Sequence, residues 1–78
     1  MNMSWIGSIE RNWKNRKTGE RIEFRKRRGI INVWLMGEVN GRDRGSKIGE
    51  STSEAEAKQI ALDKINDIGN ERWFSRYE

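Results

Sequence analysis

Residues 30–39, Ile-Ile-Asn-Val-Trp-Leu-Met-Gly-Glu-Val, alternate with a period of two and run directly into Asn40-Gly41. No other feature restricts the fold as much. Side chains on a strand point alternately to its two faces, so Ile31, Val33, Leu35 and Val39 share one face, and Trp34 and Met36 share the other. Both central residues of a type I′ hairpin turn need positive φ, which Asn-Gly tolerates best. A strand from Arg42 to about Glu50 then folds back on the first. A two-residue turn pairs Val39 with Arg42, Leu35 with Ser46 and Val33 with Ile48. That register sets Ile48 on the apolar face and Lys47 beside Trp34 on the other.

The flanking segments extend this hairpin. Trp5 to Trp13 reads as a first strand, with Trp5, Ile9 and Trp13 on one side. Lys14 to Gly19 is polar, ends in glycine and reads as a hairpin loop. Glu20 to Arg27 reads as a second strand, with Ile22 and Phe24 facing one way and Arg21, Glu23 and Arg25 the other; Arg28-Gly29 then breaks the pattern. After the strands the period changes. Ser53-Glu54-Ala55-Glu56 has the form of a capping box, in which serine and glutamate satisfy each other's backbone N–H. Ala57, Ile60, Ala61, Ile65 and Ile68 fall on one helical stripe, and Gly69 is a natural stop. Trp73 and Phe74, in the tail 71–78, are expected to cover the open end of the core. The expected fold is α+β, with a three- to four-stranded antiparallel sheet packed on one C-terminal helix and a short aromatic tail. At 78 residues the chain has room for one core, hence a single domain over 1–78.

Composition removes several classes of function. The sequence has neither Cys nor His, so it offers no disulfide, no thiolate or imidazole metal site and no His-assisted nucleophile. No apolar run approaches a membrane span and no signal segment opens the chain, so a cytoplasmic location is expected. Glu10, Glu20 and Glu23 could converge on a metal, but pairing with the surrounding arginines is the simpler reading. A non-enzymatic chain without a cofactor is the expectation.

Charge points towards a binding role. Residues 1–28 hold nine Lys/Arg against three acids, whereas residues 50–78 hold four against seven. The sheet face away from the helix carries Arg21, Arg25, Trp34 and Lys47. Guanidinium groups beside an exposed indole suit base edges and stacking in a nucleic-acid groove. The alternative is a solvated face on which Trp34 lies under the stems of Lys47 and Arg25. The run Arg25-Lys26-Arg27-Arg28, with Lys14, Arg16 and Lys17 before it, calls for an anionic partner; protection of an edge strand by charge is the alternative. Arg42 and Arg44 flank Asp43 in a basic finger or an ordinary hairpin tip. On the DNA reading, Arg21, Arg25, Trp34 and Lys47 face the groove, while Lys14, Arg16, Lys17, Arg27, Arg42 and Arg44 contact phosphate.

About residues 30–68 carry a resemblance. A tryptophan-bearing strand through Val33-Trp34, the Asn-Gly turn, a basic strand ending Ile48-Gly49-Glu50 and Thr52-Ser53-Glu54-Ala55-Glu56-Ala57 opening a helix resemble the arm-type DNA-binding domain of phage and transposon tyrosine recombinases. They also resemble the related plant ethylene-response-type domain. The resemblance implies a three-stranded sheet on one helix, with the open sheet face entering the major groove of duplex DNA. The N-terminal hairpin is extra to that pattern and no recombinase catalytic domain follows, so it implies a phage or mobile-element regulator or accessory protein. The rival expectation is a small phage-type inhibitor or adaptor that docks the same basic, aromatic face on an acidic host protein, with Trp34 and Met36 as anchors.

Overall fold

A computed structural model of the chain describes residues 5–9 and 11–68. The expected cap at Gly69, the Trp73/Phe74 tail and Glu10 lie outside the described residues. Five strands run in the order β1 (Trp5–Ser8), β2 (Asn12–Asn15), β3 (Arg21–Arg27), β4 (Ile30–Val39) and β5 (Arg42–Ser51), followed by one helix, α1 (Glu54–Ile68). They form one antiparallel meander in which each strand pairs with the next, leaving β1 and β5 at the edges. The α+β architecture is the expected one, with five strands in place of three or four.

The extra strand comes from the first segment. Trp5 to Trp13 is two short strands rather than one, paired Trp5 to Asn15 and Gly7 to Trp13. Two residues permit the reversal. Asn12 takes a positive φ of 63°, which asparagine tolerates, and at Gly7 a Cβ would collide with the Asn12 carbonyl oxygen. Three residues separate the paired Ser8 and Asn12, so odd-numbered positions stay on one face across the turn. Trp5 and Trp13 are therefore buried together, as a continuous strand would also have had them.

Two further turns follow backbone chemistry. Asn40-Gly41 has φ of 54° and 77°, and Arg28-Gly29 has 52° and 78°, so both two-residue turns carry positive φ at both positions. Between β2 and β3 the buried Asn15 organises the loop. Its Oδ1 accepts from the Lys17 and Thr18 N–H groups at 2.8 and 3.1 Å, and its backbone pairs with Glu20 and Gly19.

The register of β4 and β5 is as expected from Val39/Arg42 to Trp34/Lys47, and then a bulge intervenes. Val33 pairs with Gly49, not with Ile48. Ile48 is the extra residue, half-buried against the core. Gly49 leaves room for Ile60, whose side-chain carbons would lie 3.0 Å from a Cβ there. Trp5, Trp13, Ile22, Ile31, Val33 and Leu35 from the sheet meet Ala57, Ala61, Ile65 and Ile68 from α1 in one core. The two alanines let the helix approach β4 and β5 closely.

The helix start is a capping box with a relay. Ser53 Oγ accepts from the Glu56 N–H at 3.4 Å. The Glu56 carboxylate does not reach the Ser53 N–H itself. Ser51 stands between, accepting from the Ser53 N–H at 3.0 Å and donating to Glu56 Oε2 at 2.6 Å.

Candidate nucleic-acid interface

Alternation on β3 and β4 sends Arg21, Glu23, Arg25 and Arg27, with Ile30, Asn32, Trp34 and Met36, to the face away from α1. The pairs Trp13/Ile22 and Lys14/Arg21 add Lys14 to that face. Lys14 is thus a strand residue and not part of the loop in which it was expected. From β5 come Asp43, Gly45 and Lys47, with Glu50 beyond the bulge. The Met36 side chain lies across Gly45, where any Cβ would strike its sulfur.

The face is knitted by ion pairs rather than lined by bare cations. Arg21 donates to Glu23 through Nε at 2.8 Å and to Asp43 through Nη2 at 2.7 Å. Arg25 reaches the other Glu23 oxygen at 3.0 Å, and Lys47 holds Glu50 at 3.0 Å. The hydrogen bond to Asp43, and after it the one to Glu23, raise the Arg21 guanidinium above its ordinary value. Burial alone would raise the Glu23 carboxyl; the hydrogen bonds from Arg21 and Arg25 outweigh it and leave Glu23 below its ordinary value. The Arg25 guanidinium sits 5.2 Å from the Trp34 ring centroid, a cation–π contact over a half-buried indole.

Eight cations without an ion-pair partner among the described residues, Lys14, Arg16, Lys17, Lys26, Arg27, Arg28, Arg42 and Arg44, lie at the two ends of the sheet. Lys14, Arg16 and Lys17 mark one end, where the β2–β3 loop lies next to the β4–β5 turn. Arg42 and Arg44 belong to the same end, but they pair with Val39 and Gly37 and so project on the helix side. Lys26, Arg27 and Arg28 mark the opposite end, around the β3–β4 turn. What reads in sequence as one basic stretch is split by the length of β3, whose seven residues span about 20 Å.

The four residues assigned to the groove, Arg21, Arg25, Trp34 and Lys47, share the open face, and Arg27, assigned to phosphate, stands at its edge. Glu20 is not among the surface acids, being only 1% exposed. Arg28, which the sequence reading left out of its candidate residues, stands beside Arg27 at the same end. It sits in left-handed backbone at the tip of a turn, a conformation that a bulky side chain adopts only at a cost. No group of three or more acids that could hold a metal occurs among the described residues, and none of their helices is long and apolar enough to cross a membrane. Comparison of the chain with family models, curated proteins and solved structures found no significant match.

Proposed function

We propose that the chain is a non-enzymatic DNA-binding module that lays the open face of its sheet across the major groove and grips the backbone on each side. One observation carries the reading: cations with no ion-pair partner among the described residues stand at both ends of the sheet, and the face between them is nearly charge-balanced and holds an indole. A major groove is about 12 Å wide, and the two basic ends are about 20 Å apart along β3. The ends therefore reach the two phosphate strands while the centre lies over base edges. Lys14, Arg16 and Lys17 supply one grip, and Arg27 and Arg28 the other. Between them Arg25 and Trp34 are the readers, Arg25 being stiffened by the ring beneath it and by Glu23 beside it. The strained Arg28 supports the same reading, because its twin turn uses the unstrained Asn40 at the equivalent place. The resemblance of residues 30–68 to arm-type domains points the same way, and a phage or mobile-element regulator is the setting it suggests.

Titration of binding to duplex DNA against salt tests the proposal. Counterion release by several phosphate contacts gives a steep decline of log affinity with log salt. Absence of binding at low salt ends the DNA reading. A specific feature favours the protein-docking rival in that event. Ile30, Trp34 and Met36 lie on one face among carboxylates that already neutralise the arginines, which is an amphipathic patch of the kind protein partners use. The partner is then a host protein with an acidic site, captured by the wild type and lost on Trp34→Ala.

A further inference from the structure

The outer edge of β5 combines three features that the DNA reading does not use. β5 is a ten-residue edge strand with no strand beyond it among the described residues. A cleft of about 430 Å³ runs beside it, lined by Ile48 and Ile60 with Asp63, Lys64 and Asp67 from α1. Arg42 and Arg44 project from the same strand on the helix side, exposed and without an ion-pair partner among the described residues. An unpaired strand edge is a template for another strand.

We propose that a second copy of this chain docks on that edge, antiparallel and related by a two-fold axis through Gly45. The register follows from backbone geometry and charge. The two-residue turn closes on the hydrogen-bonded pair Val39/Arg42, so alternation turns the backbone groups of Asp43, Gly45 and Lys47 outward. Pairing those outward groups about Gly45 places Asp43 of each copy opposite Lys47 of the other, twice over. A shift by two residues, centring the axis on Arg44, would instead set two arginines face to face, which is unfavourable. In the favoured register Arg42 of one copy meets Ile48 of the other at the mouth of the cleft. Its stem lies on the isoleucines, and its guanidinium is offered to Asp63 and Asp67. The isologous contact is closed, so it ends at a dimer.

The bulge and the charges on β5 could instead serve to keep strands away. Sedimentation equilibrium of the full chain separates the two. A dimer is expected for the wild type, with circular dichroism confirming that every variant stays folded. Asp43→Lys sets a second lysine against Lys47 of the other copy, and Lys47→Asp sets two aspartates against each other. Each single variant weakens self-association about tenfold or more. Mixing the two restores a dimer, because every cross-strand pair is then opposite in charge. A wild type that stays monomeric at hundreds of micromolar overturns the inference, as does a dimer indifferent to both swaps. A monomer that binds a basic extended peptide in the cleft assigns the edge to another occupant and likewise overturns it. None of these outcomes depends on whether the chain binds DNA.

Discussion

Glu23 joins the two arginines of the open face, and the fold shifts its ionisation. Its carboxyl is held below the ordinary glutamate range, near pH 4.3 in model peptides. A carboxyl depressed in the folded state stabilises the fold above its unfolded pKa, and that contribution is lost as pH falls through the folded value. The urea midpoint should therefore decline as the pH drops from neutral to about 3, and Glu23→Gln should remove part of the decline. Equal slopes for both proteins would mean that the Arg21–Glu23–Arg25 group adds nothing to stability. Neighbours on β4 divide sharply by face. Leu35 is fully buried, and Leu35→Ala should cost about 2–5 kcal/mol in denaturant unfolding. Trp34→Ala should leave the fold in place while weakening DNA binding, read by fluorescence anisotropy of a labelled duplex. These opposite orientations of adjacent residues were legible from period two alone. The bridge from Arg21 to Asp43 was not, since it crosses β4 to join strands that are not neighbours.

The elements owe their limits to a few backbone positions. The break between β1 and β2 needs Gly7, because the Asn12 carbonyl occupies the space of a Cβ. Gly7→Ala should lower the unfolding midpoint markedly, whereas Gly19→Ala, with open space around it, is opposed only by its φ of 81°. That reversal was hidden in the sequence because Trp5, Ile9 and Trp13 keep one face whether the strand continues or turns. At the helix start Ser51 serves two partners, so Ser51→Ala should cost as much as Ser53→Ala, about 0.5–2 kcal/mol each by urea unfolding. A double variant that loses less than the sum of the two would show that they act as one cap. The S-x-x-E spacing was readable along the chain. The relay through Ser51 was not, because it joins the end of β5 to the first turn of α1. On the proposed reading Arg28 connects element to function. Arg28→Asn relieves left-handed strain and should raise stability by about 0.5–1 kcal/mol, yet weaken DNA binding through the lost cation.

The molecule as a whole distributes charge in a way that no segment does. Neutralising Lys14, Arg16 and Lys17 at one end, or Arg27 and Arg28 at the other, should each reduce the salt slope by about one unit per lost phosphate contact. Combining both sets should do far more than either, because a sheet anchored at one end no longer spans the groove. Arg25→Ala should instead cost roughly 1–3 kcal/mol on a preferred site and little on random duplex. If only one end proves sensitive to neutralisation, the face does not lie across the groove as proposed.

Local rules were enough for the strand alternation on β4, the Asn-Gly turn, the cap and the apolar stripe of α1. Each depends on a few adjacent residues and on backbone preferences that hold in any fold. They also placed Arg21, Arg25, Trp34 and Lys47 together, because parity survives every turn in the meander. Tertiary structure alone decided the rest. Close packing of Ile60 over Gly49 accompanies a bulge that pushes Ile48 out of register. Antiparallel return of β4 carries Arg28 to one end of the sheet and Arg42 to the other. Proximity in the folded sheet gives three of the acids on the open face a cation: Arg21 and Arg25 for Glu23, Arg21 from across the sheet for Asp43, and Lys47 for Glu50. Linear spacing reports how many charges a segment carries, but their mutual neutralisation depends on distances that only the folded sheet sets.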